Sequence, residues 1–599
     1  MSGYDIFAWI VLVILVICVV GVFCIAGWLP GHIAKSPKHL YADAVTVAGW
    51  ITLIFGFALW LRSISLGMAL AFNDVRHALT RLAATGRISG EHSFSGRIAM
   101  KAAFALFILV FALASPARAQ TARWDDLANL PFPNSYPTKE AADKLRDELV
   151  FERAVQVYLW ALPAVNLMAM REGSEKAFGA GYNVFPVWKE RLNAKTIVTT
   201  PNSDVIYAMA YVDVGTDGPL VIEIPPEQQG ILDDFWQRPV SGPTVDGKTY
   251  AGDVGLPGPD KGRGGKFLLL PPGYQGNVPD GYYSYRSRTN NVLVFWRAFF
   301  NDPNNLGPAV RLIEQTRIYP LGKAAQAKPM QFPDASGVAV NMDYPRDGAF
   351  YDMLARFIDS ETTDPMDLDW RGMLAAIGIV KGQPFNPDAH TRAILDTAAK
   401  TGFKMSRAMI YADLEDKPGA LIYKDRHWLD PTCSGATNIE YLDKSESFRS
   451  LDLRTGVFSM IYAASPAMLT PTPGEGARYL TAFKDANGDI LSGDNTYVLH
   501  LPPNVPAAFF WSATLYDPLT ASGLDNGQPF PSINSHDKPS PNADGSYDIY
   551  FGPTAPAGKE RNWRRTVPGK SFFTILRLYG PTQAYFDQTW KPGDIEGMN

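Results

Sequence analysis

The sequence predicts an α+β protein: amino-terminal transmembrane helices, then two β-sandwich, jelly-roll-like domains with a helical section between them. Three observations carry that prediction. Two long uncharged apolar runs lie within the first 61 residues. Strand-like runs occur in two separate blocks, at 205–296 and 479–579, and apolar residues at three-to-four spacing fill much of the interval between them. A chain of 599 residues exceeds what one core usually serves, so several domains are expected.

The first apolar run, Ile6 to Trp28, holds 23 residues without a charge, enough to cross a bilayer. The second, Val45 to Leu61, is bounded by Asp43 and Arg62, with Trp50 and Trp60 near its ends as interfacial anchors. Residues 1–119 hold nine Lys and Arg, six of them between Arg62 and Lys101, so the positive-inside rule places that stretch in the cytoplasm. The membrane section is therefore 1–99, with spans at about 6–28 and 45–61.

Residues 100–119 form a third apolar element. Met100-Lys101 opens it, the run Ala102–Ala114 follows, and Ala117-Arg118-Ala119 offers the small residues that a signal peptidase accepts before Gln120. Thirteen apolar residues make ~20 Å of helix, short of a ~30 Å hydrocarbon core. This is a signal-peptide-like segment, and it stands after 99 residues of membrane-type sequence. A true fusion and a joining of two adjacent reading frames both account for that position. The expected location is the inner membrane with the large body in the periplasm, or release to the periplasm after cleavage at Ala119/Gln120.

The body divides into 120–345, a helix plus β-sandwich; 346–470, mainly helical; and 471–599, a second β-sandwich. Thr138 to Arg171 has helical spacing, with Pro163 expected to kink or break it. Strand patterns follow at Val205–Val212, Leu220–Ile224, Lys266–Leu270 and Asn291–Trp296, with Gly215–Gly218 as a turn. Helices are expected at Gly348–Ser360, Leu368–Val380, Ala389–Leu414 and Leu442–Ala464. Strands resume at Tyr479–Lys484, Tyr497–Leu501, Phe509–Tyr516, Tyr547–Phe551 and Ser571–Tyr579.

Three stretches resemble known families. His39-Leu-Tyr-Ala-Asp-Ala-Val-Thr-Val-Ala-Gly-Trp50 resembles domain-of-unknown-function family 3302 of small inner-membrane proteins, over roughly residues 1–80. Tyr158-Leu-Trp-Ala-Leu-Pro163, Thr200-Pro-Asn-Ser-Asp204 with Tyr207, and Leu268-Leu-Leu-Pro-Pro-Gly-Tyr274 resemble family 1254. Trp511–Asp517, Asp548–Pro553, Asn562-Trp563, Arg577–Pro581 and Phe586–Trp590 resemble family 1214, and the last two together cover nearly all of 125–599. The resemblance implies an exported bacterial protein of β-rich domains, expected to form a homo-oligomer, and it brings no catalytic residues with it.

Charge excludes one partner class. Taking the nine basic and four acidic residues of 1–119 from the totals of 55 and 60 leaves 46 against 56, so the body carries about −10 and lacks a nucleic-acid footprint. Cys433 is the body's lone cysteine, which rules out an intrachain disulfide there and leaves its stability to core burial. The four histidines of the body, His390, His427, His500 and His536, share no ligand spacing, so neither a metal nor a cofactor is expected. Asp485-Ala-Asn-Gly-Asp489 is spaced like a calcium loop but lacks its closing glutamate, and reads as a hairpin turn.

Binding candidates remain. Asp204 with Arg286 and Arg297 is a candidate polar cluster in the first sandwich. In the second, Asp517, Trp563, Arg577, Tyr579, Asp587 and Trp590 offer aromatic faces with interleaved charge, suited either to a polar ring or to domain packing. Two functions follow. One is a membrane-linked or exported envelope protein that binds an unknown ligand or envelope partner through its β-domains. The other is a periplasmic hydrolase or lyase using Asp204, Asp517 or Asp587 as acid–base carboxylates on a polymer or small metabolite.

Overall fold

The structure, a computed structural model, describes residues 123–364, 367–433, 447–469 and 472–598. The two apolar spans, the 100–119 segment and the Ala119/Gln120 junction lie outside the described residues. Among the described residues no helix is long and apolar enough to cross a membrane. The chain divides into units Met1–Ala128 and Asn129–Asn599, and the second is a mixed α and β body with several sheets and a helical middle.

Helix α1 spans Lys139–Phe178, capped by the Thr138 hydroxyl, which accepts from the Ala141 amide at 3.2 Å. It continues through Pro163, where the sequence places a kink or break. A proline there leaves the Leu159 carbonyl without its helical donor. The Thr455 hydroxyl supplies one at 2.8 Å, and Arg454 Nη1 donates to the adjoining Trp160 carbonyl at 3.2 Å. The freed carbonyl is satisfied from a neighbouring helix, so the helix continues. Thr455→Val keeps the shape and removes the donor; the expected loss is about 1–3 kcal/mol of unfolding free energy, read by urea denaturation.

Twelve strands follow: β1 Thr196–Ile197, β2 Ile206–Asp213, β3 Leu220–Ile224, β4 Gln228–Asp234, β5 Ser241–Val245, β6 Lys248–Ala251, β7 Asp253–Gly255, β8 Gly265–Leu270, β9 Tyr283–Arg286, β10 Asn291–Ala298, β11 Arg317–Pro320 and β12 Val340–Asn341. Sheet order β2-β10-β4-β7 faces sheet order β11-β3-β8-β9-β5-β6 across a shared core that includes Ala208, Val294 and Trp296 from one and Leu220, Ile222 and Phe267 from the other. The expected Gly215–Gly218 turn is a single helical turn, Val214–Asp217, because the Asp213 carboxylate caps the Gly215 and Thr216 amides.

The four-stranded sheet is buried on both faces. Its second face turns Met209, Tyr211, Ile231, Leu293 and Phe295 toward helices α1, α2 (Ala349–Ser360), α3 (Leu368–Ala376), α4 (Ala389–Tyr411) and α5 (Leu451–Phe458). Helix α3 stops at Ala376 rather than Val380. Gly378 takes φ +90° and its amide turns back to the Ala375 carbonyl, which closes the helix end. Of the expected helix 442–464, only 451–458 is helical among the described residues.

Eight more strands complete the body: β13 Ala477–Ala482, β14 Tyr497–Leu501, β15 Ala507–Tyr516, β16 Ser532–Asn534, β17 Tyr547–Gly552, β18 Trp563–Arg565, β19 Phe573–Pro581 and β20 Ile595–Gly597. Sheet β13-β19-β15-β16 faces sheet β18-β17-β14-β20 over a core that includes Leu480, Trp511 and Leu576 from the first and Leu499, Ile549 and Phe551 from the second. Asp485–Asp489 forms a tight turn, the Asp485 carboxylate accepting from the Asn487 and Asp489 amides at 2.9 and 3.1 Å. Every residue of β19 is buried. Its second face, with Ile575, Arg577 and Tyr579, turns toward the first sandwich.

Candidate functional site

The two sandwiches meet through the outer faces of their four-stranded sheets, and the Thr200–Asp204 stretch is the key inserted between them. The Thr200 amide donates to the Ala521 carbonyl at 2.6 Å, and its hydroxyl to the Met460 carbonyl at 2.8 Å. The Pro201 carbonyl accepts from the Tyr516 hydroxyl at 2.6 Å, and the Thr200 carbonyl from Arg577 Nη2 at 3.1 Å. The Asn202 amide group donates to the Tyr579 hydroxyl. Thr200 (φ +36°) and Ala521 (φ +55°), the two residues of the first bond, both stand in the left-handed region. A β-branched residue adopts that geometry only where its surroundings hold it there.

Asp204 ends the key in a buried charge network. Its carboxylate accepts from Arg191 Nη2 at 3.0 Å, the Ser532 hydroxyl at 2.7 Å and Asn534 Nδ2 at 2.6 Å. The Arg191 guanidinium also donates to the Ser203 carbonyl and lies 4.0 Å from the Phe530 ring centre. Asp537 sits 3.8 Å from Arg191 and takes a 3.2 Å bond from Arg564; burial raises its carboxyl above the usual range. Burial likewise lowers the neighbouring His536.

Beside this seam lies a cavity of about 40 Å³, set in a recess whose whole empty space, open solvent included, is about 480 Å³. The first sandwich contributes Tyr207 and Arg297, and the second contributes Tyr479, Arg577 and Tyr579; the segment Ile461–Ala463 with Met468 forms a wall. Arg297 and Arg577 are only 2% and 3% exposed. Arg577 is held by Thr514 Oγ1 at 3.2 Å and by the Thr200 carbonyl. Arg297 Nε and Nη1 are buried without a hydrogen-bond partner among the described residues. No carboxylate among the described residues forms an ion pair with either guanidinium.

The wall segment is pinned by two further buried acids on the same sheet. The Ala464 amide donates to Asp233 at 3.4 Å and the Ala467 amide to Asp253 at 2.9 Å. Burial raises both carboxyls, Asp253 from 3.8 to about 7. A carboxyl that holds its proton more tightly when folded contributes stability that is full below its unfolded value and lost as pH rises through the folded one. Melting temperature should therefore fall from about pH 4 to pH 7, and Asp253→Asn should flatten that slope, as measured by thermal unfolding across the range.

The expected site residues fall into two groups. Arg297, Arg577 and Tyr579 come together around the cavity, and Asp204 lies in the adjoining seam. The others are elsewhere. Arg286 is exposed on β9 and donates to the Tyr274 carbonyl at 3.2 Å, and no ion pair among the described residues joins Asp204 to Arg286 or Arg297. Asp517 caps its own turn through the Leu519 amide at 2.7 Å, and Asp587 accepts from the Thr589 hydroxyl at 2.8 Å. Trp563 donates to the Gly552 carbonyl at 2.9 Å and Trp590 to the Pro502 carbonyl at 3.2 Å. Burial pushes the Cys433 thiol up to about 12, which removes it as a nucleophile at neutral pH.

Arg191, Tyr462, Tyr479, Ser532 and Asn534 are absent from the sequence-based set. For the two cavity arginines a signal existed: each is a lone charge inside an otherwise apolar strand, Arg297 between Trp296 and Ala298, Arg577 between Leu576 and Leu578. Arg191 carries no such signal, because it lies in a loop, and Ser532 and Asn534, which share its partner Asp204, are more than 300 residues away.

Fold and site together define a paired β-sandwich body locked by a buried polar key and enclosing a cation-lined cavity. Residues 182–320 match the family described as protein of unknown function (DUF1254), residues 476–583 match DUF1214, and residues 4–71 match DUF3302. The chain thus carries one stretch that matches each of these three models. None of the curated proteins compared matches it. Among solved structures, the VPA0106 protein from Vibrio parahaemolyticus is 18% identical with a TM-score of 0.45, covering 76% of this chain and all of its own. An uncharacterised protein from Burkholderia cenocepacia is 14% identical with a TM-score of 0.36, covering 80% of this chain and 98% of its own.

Proposed function

We propose that this chain is an envelope-linked binding protein, anchored by its amino-terminal section, whose large body takes a ligand in the cavity between the two inner sheets. The observation that carries the reading is Arg297: a guanidinium withdrawn from water, lining a cavity, with two nitrogens unpaired among the described residues. A buried charge is costly unless something compensates it, and such groups mark binding sites. The hydrolase reading fares less well. Asp204 is committed to Arg191, Ser532 and Asn534, and Asp517 and Asp587 cap their own turns.

The test is thermal unfolding of the full-length protein in detergent against a panel of anionic, neutral and cationic metabolites. Ala463→Phe fills the cavity, and Ala463→Ser leaves it open. A saturable rise in melting temperature that survives in Ala463→Ser and vanishes in Ala463→Phe is the expected result. A rise that persists in the filled variant, or none with any compound, overturns the reading.

A further inference from the structure

The cavity lining is rich in donors and poor in acceptors. Besides the two guanidinium groups it presents the hydroxyls of Tyr207, Tyr462 and Tyr579. The Tyr462 hydroxyl donates to that of Tyr207 at 3.1 Å, and the Tyr579 hydroxyl accepts from Asn202. Tyr207 and Tyr579 each accept one bond, and neither hydroxyl donates to a described residue. Burial raises both hydroxyls well above the ordinary phenol value, so each remains a donor at any physiological pH. Asp253, on β7 two strands away in the sheet, feels the charge of Arg297 and is already bonded to the Ala467 amide. Its row in the sheet is that of Ile231 and Phe295, two residues along the strand from that of Arg297. Apolar side chains, Ile461, Met468 and Ile575, make one part of the wall, and Thr200, Thr432 and Tyr479 also line it.

We infer that the ligand of this cavity is a small organic carboxylate, its oxygens held by Arg297, with Tyr207 and Tyr579 as further donors, and its carbon skeleton against Ile461, Met468 and Ile575. The inference rests on the binding reading above and names the ligand class for that site. A carboxylate supplies the missing negative charge and up to four acceptor positions in one plane, which suits a guanidinium and flanking hydroxyls. An organic tail suits the apolar wall.

The experiment pairs acids with their neutral amides on the full-length protein in detergent: butyrate with butyramide, benzoate with benzamide, and the remaining C2–C8 aliphatic and aromatic acids likewise, with inorganic phosphate and sulfate alongside. At least one carboxylate should raise the melting temperature saturably while its amide does not. Arg297→Gln should weaken that carboxylate about tenfold to a hundredfold, Arg297→Lys should recover part of the loss, and Tyr207→Phe should weaken it less. Amides binding as well as acids, or phosphate binding more tightly than every carboxylate, would overturn the ligand class and leave the cavity a binding site. A response unchanged in Arg297→Gln but lost in Ala463→Phe would overturn the role of Arg297 in the same way. No response to any compound takes down both readings.

Discussion

Asp204→Ala lowers the unfolding free energy of the body by about 3–5 kcal/mol, the range for breaking a buried ion pair by removing one partner. Three donors lose their acceptor at once: Arg191, Ser532 and Asn534. The guanidinium of Arg191, 5% exposed, keeps the Ser203 carbonyl, the Phe530 ring and the more distant Asp537. Urea denaturation measures the loss directly. A cost under about 1 kcal/mol would show that water reaches the seam and that the network is not what holds the sandwiches together. Asp204→Asn separates charge from shape: it fills the same space but carries no charge for Arg191, so it should fall near the alanine variant rather than near wild type.

Arg297→Met changes stability in the opposite direction. Replacing a buried ionic group with a well-packed apolar side chain of similar length is often neutral or stabilising by about 1–4 kcal/mol. Arg297 has no acid partner among the described residues, so its removal relieves a desolvation cost and breaks no ion pair. The ligand-free protein should therefore melt higher as Arg297→Met and lose its ligand response. This is the signature of a residue kept for binding at the expense of stability. If Arg297→Met instead unfolds the body at lower urea, the residue is structural and the cavity loses its main argument. Arg577→Met supplies the contrast. That guanidinium bonds Thr514 and the Thr200 carbonyl, so its loss should destabilise.

The strands were legible because their period is local. Leu220–Ile224 and Tyr497–Leu501 appear at the boundaries read from the sequence, since alternation and flanking turn residues are enough to define them. The break at Pro163 was misread for a reason no window around it contains: the group that satisfies Leu159 is Thr455, 296 residues further on. The site divides the same way. Arg577 and Tyr579 stand two apart in a strand and so share a face, which the sequence displays. That this face meets the one bearing Tyr207 and Arg297 depends on how two sheets pack, and no local pattern encodes it. The Thr200–Asp204 stretch was visible as a family motif, yet its role is set by residues of the other sandwich.

The span of the key has a consequence for how the protein is made. Asp204 and Ser532 are 328 residues apart. At translation rates of about 5–20 residues per second, the first sandwich emerges tens of seconds before the surface that seals it. Through that interval Tyr207, Phe295 and Arg297 present an unfinished face to solvent, the kind of exposed surface that invites misassembly. A polar key suits such a wait, because Asn202 and Asp204 tolerate water until Tyr579 and Asn534 arrive. A fragment ending before Ala477 would keep that face uncovered permanently, so neither sandwich is expected to be a stable protein without the other.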